Sequence, residues 1–147
     1  MAKATTKAFH QFVLRIETAT PGTYQTICGL TSRGISREHN MSTTEVPDCA
    51  DESLPAAVER SVQSSSVTMD GSGVYAQESH KVLYDWWKSG ATKNVQVEFV
   101  GAASGAIKFE EGAAYLTKFN NSAARGEKLS AELAIEFDGV PTVTLAT

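Results

Sequence analysis

Residues 128–138 alternate more strictly than any other part of the chain. Leu129, Ala131, Leu133, Ile135 and Phe137 fall on one parity, and Lys128, Ser130, Glu132, Ala134, Glu136 and Asp138 on the other. Successive side chains leave a pleated backbone on opposite sides, so a repeat of two marks a strand with one buried and one wet face. A single strand or hairpin is marginal in water, so this segment demands a sheet around it. Other segments supply the neighbours. His10, Phe12, Leu14 and Ile16 share a parity in residues 9–18, and Val95, Val97 and Phe99 alternate with Gln96 and Glu98. Ile107 and Phe109 form a further short pattern, and Tyr115, Thr117 and Phe119 another. Pro21-Gly22 turns the chain into a short returning strand at residues 24–30.

Residues 58–70 are β-like, but Val58, Val62, Val67 and Met69 are separated by Arg60, Gln63 and the run Ser64-Ser65-Ser66. So many small hydroxyl residues imply a face wetted by something other than a packed core. Asp70-Gly71-Ser72-Gly73 reads as the turn that ends this strand. One helix is expected over residues 76–89, with Val82, Leu83, Trp86 and Trp87 as its packing stripe. Glu78 and Lys88 suit its dipole, and Gly90 is placed to end it.

Residues 31–56 read as a long polar loop, punctuated by Gly34, Asn40, Pro47 and Pro55, with room for a short hairpin between Gly34 and Val46. Loops of that length in compact domains are usually functional. The expected fold is mainly β, a β-sandwich or barrel with one flanking α-helix and a long inter-strand loop. At 147 residues it is expected to be one domain, with residues 1–8 as a flexible N-terminal arm and residues 140–147 as a C-terminal arm. Pro141 suits an edge or docking segment better than a central strand.

Charge narrows the functional classes. Thirteen Lys and Arg against seventeen Asp and Glu give a net charge of −4. Tight nucleic-acid or anionic-membrane binding normally needs a basic surplus, so both are disfavoured. No segment has the length of uninterrupted apolar sequence that a spanning helix needs, and residues 1–20 lack a secretion signal's apolar stretch, so a cytosol-made chain is expected. Cys28 and Cys49 exclude a disulfide framework and sit in no recognised nucleophile context. His10, His39 and His80 have no zinc spacing, and Asp48, Asp51 and Glu52 lack the calcium-loop pattern. Gly71-Ser72-Gly73 lacks the Lys-Ser/Thr of a phosphate loop. No catalytic, metal or cofactor site is therefore expected, which points to a structural or binding role.

The layout resembles the major tail tube proteins of long-tailed bacteriophages and gene transfer agents, over nearly the whole chain. The carriers are Tyr24-Gln25-Thr26-Ile27, Gly29-Leu30-Thr31-Ser32-Arg33, the strand at residues 61–69, Asp70-Gly71-Ser72-Gly73-Val74-Tyr75, and the closing strand at residues 129–137 with its C-terminal arm. The resemblance implies a virion structural protein, not an enzyme and without a cofactor. Six copies would form a ring, and stacked rings a tube that conducts the genome into the host. It also implies synthesis in the host bacterial cytoplasm, partnership with tape-measure, tail terminator and baseplate or distal tail proteins, and transient passage of DNA. A tube of a secretion-type injection system and a monomeric ligand-binding β-sandwich are the alternatives.

Two surfaces follow as expectations. A duplex slides best past hydroxyl and acidic groups, so the serine-rich strand is the candidate channel wall, with Gln63, Ser64, Ser65 and Ser66 facing the lumen and the parity left open. The polar loop is the candidate contact between rings, through Arg33, Arg37, Glu38, Glu45, Asp48, Asp51 and Glu52.

Overall fold

A computed structural model describes residues 2–147. A 3-10 turn at Phe9–Gln11 leads into β1 (Phe12–Glu17), β2 (Tyr24–Thr26), β3 (Leu30–Val46) and β4 (Ala57–Val74). The helix α1 (Gln77–Ser89) follows, then β5 (Lys93–Phe99), β6 (Ile107–Ser122), β7 (Ser130–Phe137) and β8 (Thr142–Leu145). All strands belong to one antiparallel sheet in the order β2-β1-β5-β6-β7-β4-β3, with β8 paired to β6 beside this path.

The sheet folds over at β6, whose first half pairs with β5 and second half with β7. Both arms therefore face one core. Leu14 and Ile16 from β1 and Val95 and Val97 from β5 meet Val67 and Met69 from β4 and Leu133, Ile135 and Phe137 from β7. The alternating segments fold as their parity requires, since each puts its apolar set on this side. The helix closes the open flank with Leu83 and Trp86, and Gly90, at φ 66°, ends it in the left-handed conformation.

Several expectations are corrected. Most of residues 31–56 is not loop: β3 continues to Val46 and pairs with β4, and only residues 47–56 connect them. The pattern is hidden because both faces of this hairpin are wet, so no hydrophobic alternation marks it. Nor does Asp70-Gly71-Ser72-Gly73 turn; it continues β4, pairing with β3 and β7. Its glycines serve close approach, since a Cβ on Gly73 would lie 2.2 Å from the Gly29 carbonyl oxygen. The patterns at Ile107 and Tyr115 are one strand, β6, with the opposite face inward: Glu110, Ala114 and Leu116 are buried, and Ile107 and Tyr115 are exposed. A bulge at Thr117, between Leu116 and Lys118, then resets the parity so that Phe119 packs on the core.

The terminal segments also differ from simple arms. Residues 2–8 are exposed and outside helix and strand, yet Lys7 Nζ donates to the Gly101 carbonyl at 2.6 Å. Met1, the first residue of the expected arm, lies outside the described residues. Within residues 140–147, β8 pairs along Ile107–Glu111 of β6.

Trp86 and Trp87 separate sharply. Trp86 is buried and donates from Nε1 to the Ala91 carbonyl at 3.0 Å, whereas Trp87 is 49% exposed and lies against Tyr84. The expected stripe of Val82, Leu83, Trp86 and Trp87 is thus Leu83 and Trp86, with Val82 half-buried beside them. Trp86→Ala should cost about 3 kcal/mol in chemical denaturation, and Trp87→Ala less than about 1 kcal/mol.

Candidate assembly surface

β4 pairs with β7 only from Thr68 to Val74. From Ala57 to Val67 its one partner is β3, so the hairpin leaves the sheet as a two-stranded ribbon. At roughly 3.3 Å per residue it reaches about 35 Å past the end of β7. Residues 57–66 are exposed throughout. An isolated two-stranded ribbon is marginal in water, so one of this length calls for a partner surface.

The two faces of the ribbon differ chemically. Ile35, Met69 and Val67 define the face that looks into the core. Along it, His39 lies opposite Ser65, Met41 opposite Val62, Thr43 opposite Arg60 and Glu45 opposite Val58. The His39 Nδ1 and Ser65 Oγ atoms meet at 2.8 Å. Met41, Val58 and Val62 are 44%, 48% and 52% exposed, three apolar side chains interleaved on this face with Thr43, Arg60 and Glu45. The other face pairs Glu38 with Ser66, Asn40 with Ser64, Ser42 with Ser61 and Thr44 with Glu59. Ser42 and Ser61 join their hydroxyls at 2.8 Å, and Asn40 Nδ2 donates to Gln63 Oε1 at 3.4 Å, which puts Gln63 on this polar side. Of the serine-run residues, Gln63, Ser64 and Ser66 thus share a face, and Ser65 stands on the opposite one.

This polar face continues down the outer side of the β6–β7–β4–β3 half-sheet. There Thr68, Asp70 and Ser72 of β4 neighbour Glu132 and Glu136 of β7. Lys118 is the one cationic strand residue of this face among the described residues, and its Nζ donates to Glu132 at 2.8 Å. Glu38, Glu59, Asp70 and Glu136 answer to no cation on the face, so its field is negative.

Both margins of the half-sheet are free. β3 ends the sheet, and residues 115–122 of β6 have no strand on the side away from β7 among the described residues. Unpaired edges are templates for another chain.

The residues expected to join rings divide into three groups. Arg33 and Arg37 are used internally. The Arg33 guanidinium lies 4.0 Å over the Phe9 ring and donates to the Phe9 carbonyl, and burial lowers it from its ordinary range. Arg37, its own side chain 49% exposed, makes a two-point hydrogen-bonded pair with Glu110, whose side chain is 6% exposed. Nothing in the sequence marks Glu110 as buried, because it sits between outward-looking neighbours. Glu38 and Glu45 lie on opposite ribbon faces. Asp48, Asp51 and Glu52 are at the tip, where Asp48 Oδ1 accepts from the Ala50 and Asp51 amides at 2.8 and 3.0 Å. Asp51 Oδ1 accepts from the Ser53 amide and hydroxyl, which holds its carboxyl below the usual range. The tip is therefore shaped before any contact.

Among the described residues no group of three or more His, Cys, Asp and Glu is placed to hold a metal, and no helix is long and apolar enough to cross a membrane.

A sheet with two free edges, one polar outer face and a projecting ribbon defines a protein built to join others of its kind. The chain belongs to the phage tail tube protein family, whose model matches residues 6–143. No curated protein sequence matches it. Among solved structures it is similar to the tail of an empty gene transfer agent particle refined with C6 symmetry, with TM-score 0.75 and 18% identity, covering 95% of this chain and 99% of that one. It is similar also to a chain of the native gene transfer agent virion, with TM-score 0.71, 17% identity and the same coverage. The SPP1 tail tube gives TM-score 0.68 at 11% identity, covering 97% of this chain and 82% of that one.

Proposed function

We propose that six copies of this chain close into a ring, that rings stack into a tail tube, and that the tube is the conduit for genome delivery. The observation that carries this is the pair of free edges on the β6–β7–β4–β3 half-sheet. Its strands alternate in direction, so β3 and the second half of β6 run oppositely. Copies related by rotation alone can then pair β3 of one with β6 of the next, antiparallel at every junction, and a ring closes with no edge left over. The C6 symmetry of the gene transfer agent tail supports six as the number.

The ribbon prolongs the strands of that half-sheet, so in such a ring it extends along the tube towards the next ring. We assign the contact between rings to the ribbon and its tip at residues 47–56, with Glu45, Asp48, Asp51 and Glu52 as its acidic groups. Arg33 and Arg37 leave that contact set. The protein then performs no catalysis, is made in the host cytoplasm, and meets tape-measure, terminator and distal tail proteins at the ends of the tube.

Negative-stain microscopy of the purified chain tests this, with rings or hollow filaments expected. Deleting residues 48–53 should leave the melting transition intact and abolish filaments. Filaments at normal yield from the deleted chain would take the ring contact away from the tip, and solitary particles from the intact chain under all assembly conditions would defeat the tube itself.

A further inference from the structure

We propose that the β-bulge at Gln63 sorts the ribbon into two surfaces, a polyanion-repelling channel wall and a face carrying Met41, Val58, Val62 and Arg60 that docks on a second copy in the adjacent ring. This rests on the tube reading and adds to it which parity faces the lumen. β3 runs without an extra residue here, and β4 carries one, between Val62 opposite Met41 and Ser64 opposite Asn40. In an unbroken ladder Ser66 and Ser64 would share their side with Val62, Arg60 and Val58. One inserted residue exchanges the sets beyond it.

The exchange has two chemical results. The polar face keeps Ser66, Ser64, Gln63, Ser61 and Glu59 in succession, opposite Glu38, Asn40, Ser42 and Thr44. Arg60, whose guanidinium would otherwise clamp passing phosphates, is moved to the far side. Val62 and Val58 join Met41 on that far side, where they stand beside Thr43, Arg60 and Glu45. In a tube one face of the ribbon looks into the channel, so the opposite face looks onto protein. The ribbon has already left its own sheet, so the protein it meets is another copy.

Two exposed positions one bulge apart test the assignment. In a background with Cys28→Ser and Cys49→Ser, single Val62→Cys and Ser64→Cys chains are labelled with a small maleimide before and after assembly. Free in solution, both should react at similar rates, since both sites are exposed. In tubes the Val62→Cys thiol should slow by about tenfold or more, while Ser64→Cys, reached through the open channel, stays within about threefold of its free rate. Equal reactivity in tubes, or protection of Ser64→Cys instead, overturns the face assignment and leaves the tube standing. Failure of the intact chain to form tubes defeats the underlying reading and this one with it. Deleting Gln63 tests the bulge directly. Loss of tubes is expected, and tubes of normal diameter and yield from that chain would show that the bulge sorts nothing.

Discussion

Gly73→Ala should destabilise the folded chain by about 3 kcal/mol, a loss larger than its single added methyl suggests. An alanine Cβ there would lie 2.2 Å from the Gly29 carbonyl oxygen and 2.7 Å from both Leu30 Cα and the Thr31 amide nitrogen. All three are backbone atoms, so no rotamer change relieves them. The strain falls where β3 begins, at the hydrogen bond from the Val74 amide to the Gly29 carbonyl, 2.9 Å long. A thermal melt should drop by about 10 °C. Gly34→Ala is the control, because its Cβ would meet only the Asp70 carboxylate, at 3.0 Å, at the end of a rotatable side chain. Its melt should shift by less than about 3 °C. Equal effects at the two sites would refute the close-approach account.

Arg37→Met should be the second large loss, about 2 kcal/mol in urea denaturation of the dissociated chain. Glu110 is buried on β6, and the Arg37 guanidinium is its cation. Removing the arginine leaves the Glu110 carboxylate without its cation and without two charge-assisted hydrogen bonds, and that penalty exceeds what the pair contributes when intact. The double variant Arg37→Met, Glu110→Leu should recover most of the loss, because nothing charged then remains buried. An Arg37→Met chain of normal stability that fails only to polymerise would instead place Arg37 in the ring contact.

The strands that were legible in the sequence are those with one face on the core. Leu14 and Ile16, Val95 and Val97, and Leu133, Ile135 and Phe137 announce themselves because water on one side and packing on the other enforce a repeat of two. The helix is legible for the same reason at its own period, although adjacency alone could not say which tryptophan of Trp86-Trp87 turns inward. What stayed hidden has a common cause, which is that the local pattern no longer reports on burial. The ribbon is wet on both faces, so it reads as loop. β6 buries Glu110 and shows Ile107 to solvent, and its bulge at Thr117 breaks the parity midway. The glycines of β4 resemble a turn because what they satisfy is another stretch of backbone, distant in sequence. Of the proposed assembly surface, the serine run is visible in the sequence, but the bulge that divides its residues between the two faces leaves no mark in composition.

The independence of the ribbon from β7 bears on how such a filament would grow. Each copy carries about a fifth of its strand pairings on a two-stranded arm without a floor beneath it, so aligning that arm costs conformational freedom. A solitary copy has nothing to set against that cost, whereas a finished ring presents a ready bed. Elongation from an existing end should therefore outpace spontaneous initiation, with a lag that short seeds abolish.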